Sequence, residues 1–237
     1  MFNRIVFLLC CSLLILSPLV IPGAGAQPDP EAAGVIPKAA IHAAQQGLQR
    51  FLDLIPPGEL GHFGFQDRGE LSLAALGEPF MIYTLTADEI LADAEDLSRM
   101  AGIHPTGVWQ FPVVAAGSPR TLLTVDQMPD GWEAVDLGGL SPAPEMEVLV
   151  ARWPASDGYQ LRYLFIYQTG SQFVWVTGKG ESQLVPLEAT ARSLGLLDEG
   201  SRFEYRPMPL SEAVAILAPY VRLALVRRQN EGEEGLK

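Results

Sequence analysis

An α+β fold is the class this sequence predicts, with antiparallel meander strands and interspersed helices packed on one face of the sheet. Three observations carry that expectation. Short runs of alternating or continuous apolar residues recur between Phe80 and Val185. The segments between them, such as Ala116-Gly117-Ser118-Pro119 and Met128-Pro129-Asp130-Gly131, are rich in residues that close hairpins. Helical spacing appears before, between and after those runs, not in the strict strand–helix alternation of a parallel sheet.

The first helix is expected from Pro37. Ile41, Ala44, Leu48, Phe51, Leu52 and Ile55 fall at i, i+3, i+4 and i+7 spacing, and Pro56-Pro57-Gly58 stops the run. Residues 58–78 are glycine-rich and carry no clear period. Phe80 to Leu85 reads as a buried strand. Thr86-Ala87-Asp88-Glu89 follows as a capping box, in which Thr accepts from orphan amides and Glu reaches back. Ile90, Leu91, Ala94, Leu97 and Met100 then form one face of a helix that Gly102 should end.

A meander is predicted over Val108–Val114, Thr121–Val125 and Trp132–Leu137, followed by a helix over Pro144–Arg152. Three more strands follow, Tyr159–Gln168, Gln172–Thr177 and Gln183–Val185, with turns at Thr169-Gly170-Ser171 and Gly178-Lys179-Gly180. Pro186 suits the first position of a helix reaching Leu194, with Gly195 as its left-handed C′ residue. Leu210 to Arg228 reads as a last helix, kinked or broken at Pro219. The order three strands then helix thus occurs twice, with Gly117-Ser118 and Gly170-Ser171 in matching turns. A duplicated βββα unit would explain that order, although the side chains between the turns match poorly.

The N-terminus reads as an export signal. Arg4 precedes an apolar run from Ile5 to Leu16, Pro18 and Pro22 break it, and Ala24-Gly25-Ala26 supplies the small-x-small pattern before Gln27. Cleavage after Ala26 is the expectation, and a retained membrane anchor is the alternative. The resulting organisation is a signal peptide over 1–26, a linker over 27–36, one α+β domain over 37–228 (with sub-lobes 37–155 and 156–228 as a variant), and a disordered acidic tail over 229–237. Both cysteines, Cys10 and Cys11, leave with the signal, so the mature chain is expected to have neither disulfide nor thiolate metal site. The chain carries 16 Lys and Arg against 28 Asp and Glu, a net charge of −12, and loss of Arg4 makes it more acidic still. That field disfavours nucleic acid or an anionic membrane as partner. A soluble protein of the periplasm or exterior is the expected location.

Few residues suggest chemistry. His42, His62 and His104 are the only histidines, and none has an HExxH or HxH partner, so no metal and no cofactor is expected. No G-x-S-x-G elbow occurs, and Gly178-Lys179-Gly180 lacks the spacing of a phosphate loop. A hydrolase would have to draw on His62, His104, Asp67 and Glu70. An aromatic wall is the stronger pattern: Tyr159, Tyr163, Phe165 and Tyr167 share one strand face, and Phe173 and Trp175 share a face of the next. As structure it is a core face; as a surface, Tyr159, Tyr163, Tyr167 and Trp175 would bind a ligand. Leu184 to Gly195 also resembles, over a dozen residues, the strand-Pro-helix signature of the N-terminal domain of copper amine oxidases, and implies no activity here. The functional expectation is therefore an exported binding or scaffolding module whose partner is an envelope protein, a peptide or a small ligand. The alternatives are a secreted hydrolase and a membrane-tethered accessory protein.

Overall fold

The alternating runs assemble into one nine-stranded, mostly antiparallel sheet flanked by helices, an α+β fold. The computed structural model describes residues 35–92, 102–138, 142–197 and 200–234. Residues 1–26, expected to be an export signal, most of the expected linker and the segment carrying Ala94, Leu97 and Met100 lie outside them. In chain order the elements begin with α1 (Lys38–Leu54), α2 (Arg68–Leu71), β1 (Ala75–Leu76), β2 (Phe80–Thr84) and α3 (Ala87–Leu91). The first meander is β3 (His104–Ala115), β4 (Ser118–Met128) and β5 (Gly131–Gly138), followed by α4 (Ala143–Arg152). The second is β6 (Gln160–Ile166), β7 (Ser171–Gly178) and β8 (Glu181–Pro186), followed by α5 (Glu188–Ser193), β9 (Met208–Pro209) and α6 (Leu210–Glu234).

The sheet order is β5-β4-β3-β2-β6-β7-β8-β9, with β1 pairing β3 beyond the end of β2. Central strand β2 runs antiparallel to β3 and parallel to β6, and so joins the two meanders. The parallel contact is short: only Ile82 pairs with Tyr163 and Tyr83 with Leu164. A side chain reinforces it, as Thr84 Oγ1 donates to Phe165 O at 2.8 Å; on the other flank of β2, at its irregular register with β3, Thr106 Oγ1 donates to Ile82 O at 2.8 Å. Buried carbonyls at a junction without a full ladder need such donors, since an orphaned one costs about 1–3 kcal/mol.

Strand alternation divides the core in two. Met81, Tyr83, Phe111, Val113, Leu123, Leu164 and Phe173 face α1, α3 and α6. Ile82, Tyr163, Val174, Val176 and Val185 face the other way, where Leu149 and Met146 of α4 cover them. Helices on a single face were expected; α4 lies on the opposite one. Leu149 is fully buried there, and the even positions of β2 and β7 would otherwise leave an apolar face in water. The two βββα runs flank β2 on opposite sides, but a 53-residue equivalence does not carry through. Leu123 packs on the α1 face, whereas Val176, 53 residues on, packs on the α4 face.

Helix α1 begins after Pro37 and ends where Ile55, extended before Pro56, leaves the helical region. It seats on β5 through Gly47, whose missing side chain allows contact with Ala134, while Arg50 Nη2 donates to Ala134 O at 2.6 Å. The capping box at α3 forms as expected: Glu89 N donates to Thr86 Oγ1 and Thr86 N donates to Glu89 Oε2. Residues 58–78, unassigned from sequence, supply a 3-10 turn (Leu60–Phe63), α2 and β1.

Two sequence expectations are corrected near the C-terminus. Pro186 does not open a helix; it is the last residue of β8 and pairs with Phe173. Leu187 N then donates to Gln172 O, so the sheet claims both residues and α5 starts at Glu188. Its end is as expected, with Gly195 left-handed (φ 67°) and Leu196 N donating back to Ala191 O. Pro219 does not break α6, which is continuous to Glu234, past the expected end at Arg228 and into the stretch read as a tail. Leu217 and Val221, both fully buried, bracket the proline. Burial of such side chains is worth about 1.5–3 kcal/mol each, enough to offset the ~3 kcal/mol cost of an internal proline.

Replacing Thr84 with Val should lower the stability measured by urea unfolding by about 1–2 kcal/mol, because the carbonyl of Phe165 loses its donor. Thr84→Ser should keep most of it; equal losses for both would refute the bond's role.

Candidate functional site

The short parallel contact leaves a gap. Three residues of β6, Gln160 to Arg162, precede its first pair with β2, and Phe80 and Met81 precede the first paired residue of β2. The strands separate at these ends and enclose a crevice of about 350 Å³. Phe80, Met81, Tyr83, Trp109, Arg162 and Tyr163 form most of its wall, with Met146 of α4 and Gln160 at its margin. Both sheet faces contribute, because the opening lies within the sheet and not above it.

The polar groups of this crevice are unusual. Trp109 is 3% exposed, and its indole Nε1 is buried with no hydrogen-bond partner among the described residues. Arg162 lies with its guanidinium 5.6 Å from the Tyr83 ring centre and 5.0 Å from that of Trp175. Its Nη2 donates to Gln160 Oε1 at 2.6 Å and its Nη1 to Thr177 Oγ1 at 3.3 Å. Neither partner is charged, and no carboxylate pairs with Arg162 among the described residues. A guanidinium has five N–H donors, so some remain free. The rings are ordered by one another: Phe80 meets Tyr163 edge-on at 5.1 Å, and Tyr83 meets Trp175 edge-on at 5.9 Å.

The aromatic wall anticipated from sequence is divided by this arrangement. Tyr159, Tyr163 and Phe165 do share a face, the one α4 covers. Trp175 and Phe173 point to the other face. Register decides this, since residues opposite each other in a ladder share a face: Tyr163 pairs with Val174, and Trp175 with Arg162. Tyr163 is a core residue at 3% exposure, and burial holds its hydroxyl well above the usual tyrosine range. Tyr167 is 47% exposed and stands edge-on to Phe165; its pKa is raised, first by burial. Tyr159 lies 4.7 Å beneath the Lys179 ammonium, and Trp175 Nε1 donates to Ser182 Oγ.

The acid–base candidates do not converge. His62 is exposed, with Nδ1 2.6 Å from Glu59 Oε2. His104 Nδ1 lies 3.7 Å from Glu89 Oε2, whose oxygen already serves the capping box, and 3.3 Å from Gly102 O. Asp67 caps α2 by accepting from Glu70 N, and Glu70 accepts from Gln66 N and from Arg120 Nη2 at 2.6 Å. These carboxylates hold the segment 66–71 against β4. His42 is exposed beside Gln46 on α1. Among the described residues no group of three His, Cys, Asp or Glu side chains is placed to hold a metal ion.

A larger cavity of about 530 Å³ is lined by Pro186, Leu196, Met208 and the exposed Arg202, Glu204 and Arg206. Charges of both signs there face water, and none of its buried polar atoms is orphaned among the described residues. The β2–β6 crevice is therefore the better candidate. Four of its residues, Phe80, Tyr83, Trp109 and Arg162, escaped the sequence reading. The available signal was in β6, where polar Gln160 and Arg162 occupy the face that continues as apolar Leu164 and Ile166. Comparison with known protein families, with curated proteins and with solved structures returned no match.

Tyr205 offers a titration test. Its pKa is raised to about 12, first by burial and then by the charge of Glu145 and a hydrogen bond to it. Folding therefore favours the protonated phenol. That stability is complete below the unfolded tyrosine value of about 10 and is lost as pH rises through the folded value. The urea midpoint should fall between pH 10 and 12, and Tyr205→Phe should make the fall shallower; an unchanged slope would contradict the shift.

Proposed function

We propose that this chain is an exported binding module whose ligand-contacting surface is the β2–β6 crevice. The observation that carries the reading is the buried, unpartnered indole N–H of Trp109 in a wall built from Phe80, Tyr83, Tyr163 and Arg162. An unsatisfied buried donor costs about 1–3 kcal/mol, and burial without a partner is the kind of defect that a functional site explains. A concave pocket in which aromatic side chains meet a few convergent polar groups is the general form of a small-ligand site. The acid–base candidates support binding over hydrolysis, because His62, His104, Asp67 and Glu70 are each engaged locally and in separate places. Export rests on Arg4, the apolar run Ile5 to Leu16, and the Ala24-Gly25-Ala26 site.

Two experiments test the two halves. Small aromatic fragments, screened by ligand-observed NMR, should bind the wild-type protein, and Met146→Trp should abolish that binding by filling the crevice in a protein that still unfolds cooperatively in urea. Binding that survives Met146→Trp would place the ligand elsewhere. Intact mass of the protein recovered from its native envelope fraction should correspond to a chain beginning at Gln27; a chain retaining Met1 would favour the tethered alternative.

A further inference from the structure

We propose that the β2–β6 crevice takes a small aromatic carboxylate, with the ring between the aromatic walls and the carboxylate on Arg162 and the Trp109 N–H. This rests on the binding reading above and names the ligand class. In the crevice wall the Trp109 indole N–H has no partner among the described residues, and Arg162 has N–H groups beyond its two neutral contacts. Among the described residues no acidic side chain lines the crevice. Among the described residues the Arg162 guanidinium has only neutral partners and no counter-charge, in a chain of net charge −12. An incoming carboxylate would supply it through charge-assisted bonds, which are shorter and about twice as strong as neutral ones.

The ring follows from the rest of the wall. Phe80, Tyr83, Trp109 and Tyr163 present π faces and edges, and Met81 and Met146 add thioethers that favour contact with aromatic rings. At about 350 Å³ the cavity is near the lower end of small-molecule sites, and it suits one ring and its acid better than a chain of linked units. Arg162 is also fixed in place. Stacking by Tyr83 and Trp175 and the bonds to Gln160 and Thr177 hold the guanidinium, so little side-chain entropy is lost when an anion arrives.

The test compares phenylacetate with 2-phenylethanol, 2-phenylethylamine and acetate on the full mature chain, by calorimetric titration and by the 15N–1H signals of the tryptophan indoles. Trp109 is assigned as the signal missing in Trp109→Phe. Phenylacetate should bind at least about tenfold more tightly than the alcohol or the amine, and should move the Trp109 indole proton downfield. Arg162→Gln should remove that preference for the acid. Equal binding of the three aromatic probes, or a Trp109 signal unmoved at saturation, would overturn the carboxylate assignment while leaving the crevice a binding site. Acetate binding as tightly as phenylacetate would overturn the aromatic part. Failure of all probes on a folded wild-type protein would overturn both the ligand class and the crevice as the site. Should Arg162→Gln fail to fold, the comparison of probes on wild-type protein decides alone.

Discussion

Two residue pairs between β2 and β6 hold the whole sheet together. Each meander is built from hairpins whose turns the sequence specifies. Their union depends on a parallel contact that no hairpin can create. Parallel neighbours need a long crossover, and here the connection contains the entire first meander and α4. Because the ladder is so short, Thr84 supplies to Phe165 O a hydrogen bond that backbone pairing omits. The cores on the two faces are aligned across that junction, so α1, α3 and α6 on one side and α4 on the other all depend on it.

The crevice follows from the same constraint. A longer parallel ladder would close the ends of β2 and β6 and leave no room between Phe80 and Arg162. With the ladder confined to the middle of the strands, aromatic side chains from both faces meet at one opening. Arg162 sits there because its face of β6 changes character along the strand. Leu164 is in the core, whereas Arg162, two residues earlier, reaches Tyr83 and Trp175 at the margin. A binding site is thus a consequence of how the halves are joined, which explains why none of its residues forms a compact motif in the chain.

Sequence reading recovered what depends on near neighbours and lost what depends on register. Tyr159, Tyr163 and Phe165 were placed on one face correctly, since alternation within a strand requires only the strand. Trp175 was placed beside them in error, since its face relative to Tyr163 depends on pairing Arg162 with Trp175 and Tyr163 with Val174. A slip of one residue would have made the expected wall. Trp109 passed unnoticed for a related reason: a tryptophan in an apolar strand is ordinary, and only the surroundings of its N–H distinguish it. The same division applies to Pro186 and Pro219, whose local preferences were read correctly and then outweighed by pairing with Phe173 and by burial of Leu217 and Val221.

By itself the sequence determined the α+β class, the two meanders, the capping box at Thr86 and the left-handed end of α5 at Gly195, all governed by contacts within a few residues. The tertiary structure alone decided that the meanders join through β2, that α4 covers the second face, and that Phe80, Trp109 and Arg162 meet. These residues come from three strands separated by up to 82 positions in the chain. Local propensity carries no information about which strands pair, or about where a pairing stops; burial of both sheet faces and satisfaction of buried hydrogen bonds settle that only when the whole chain is folded.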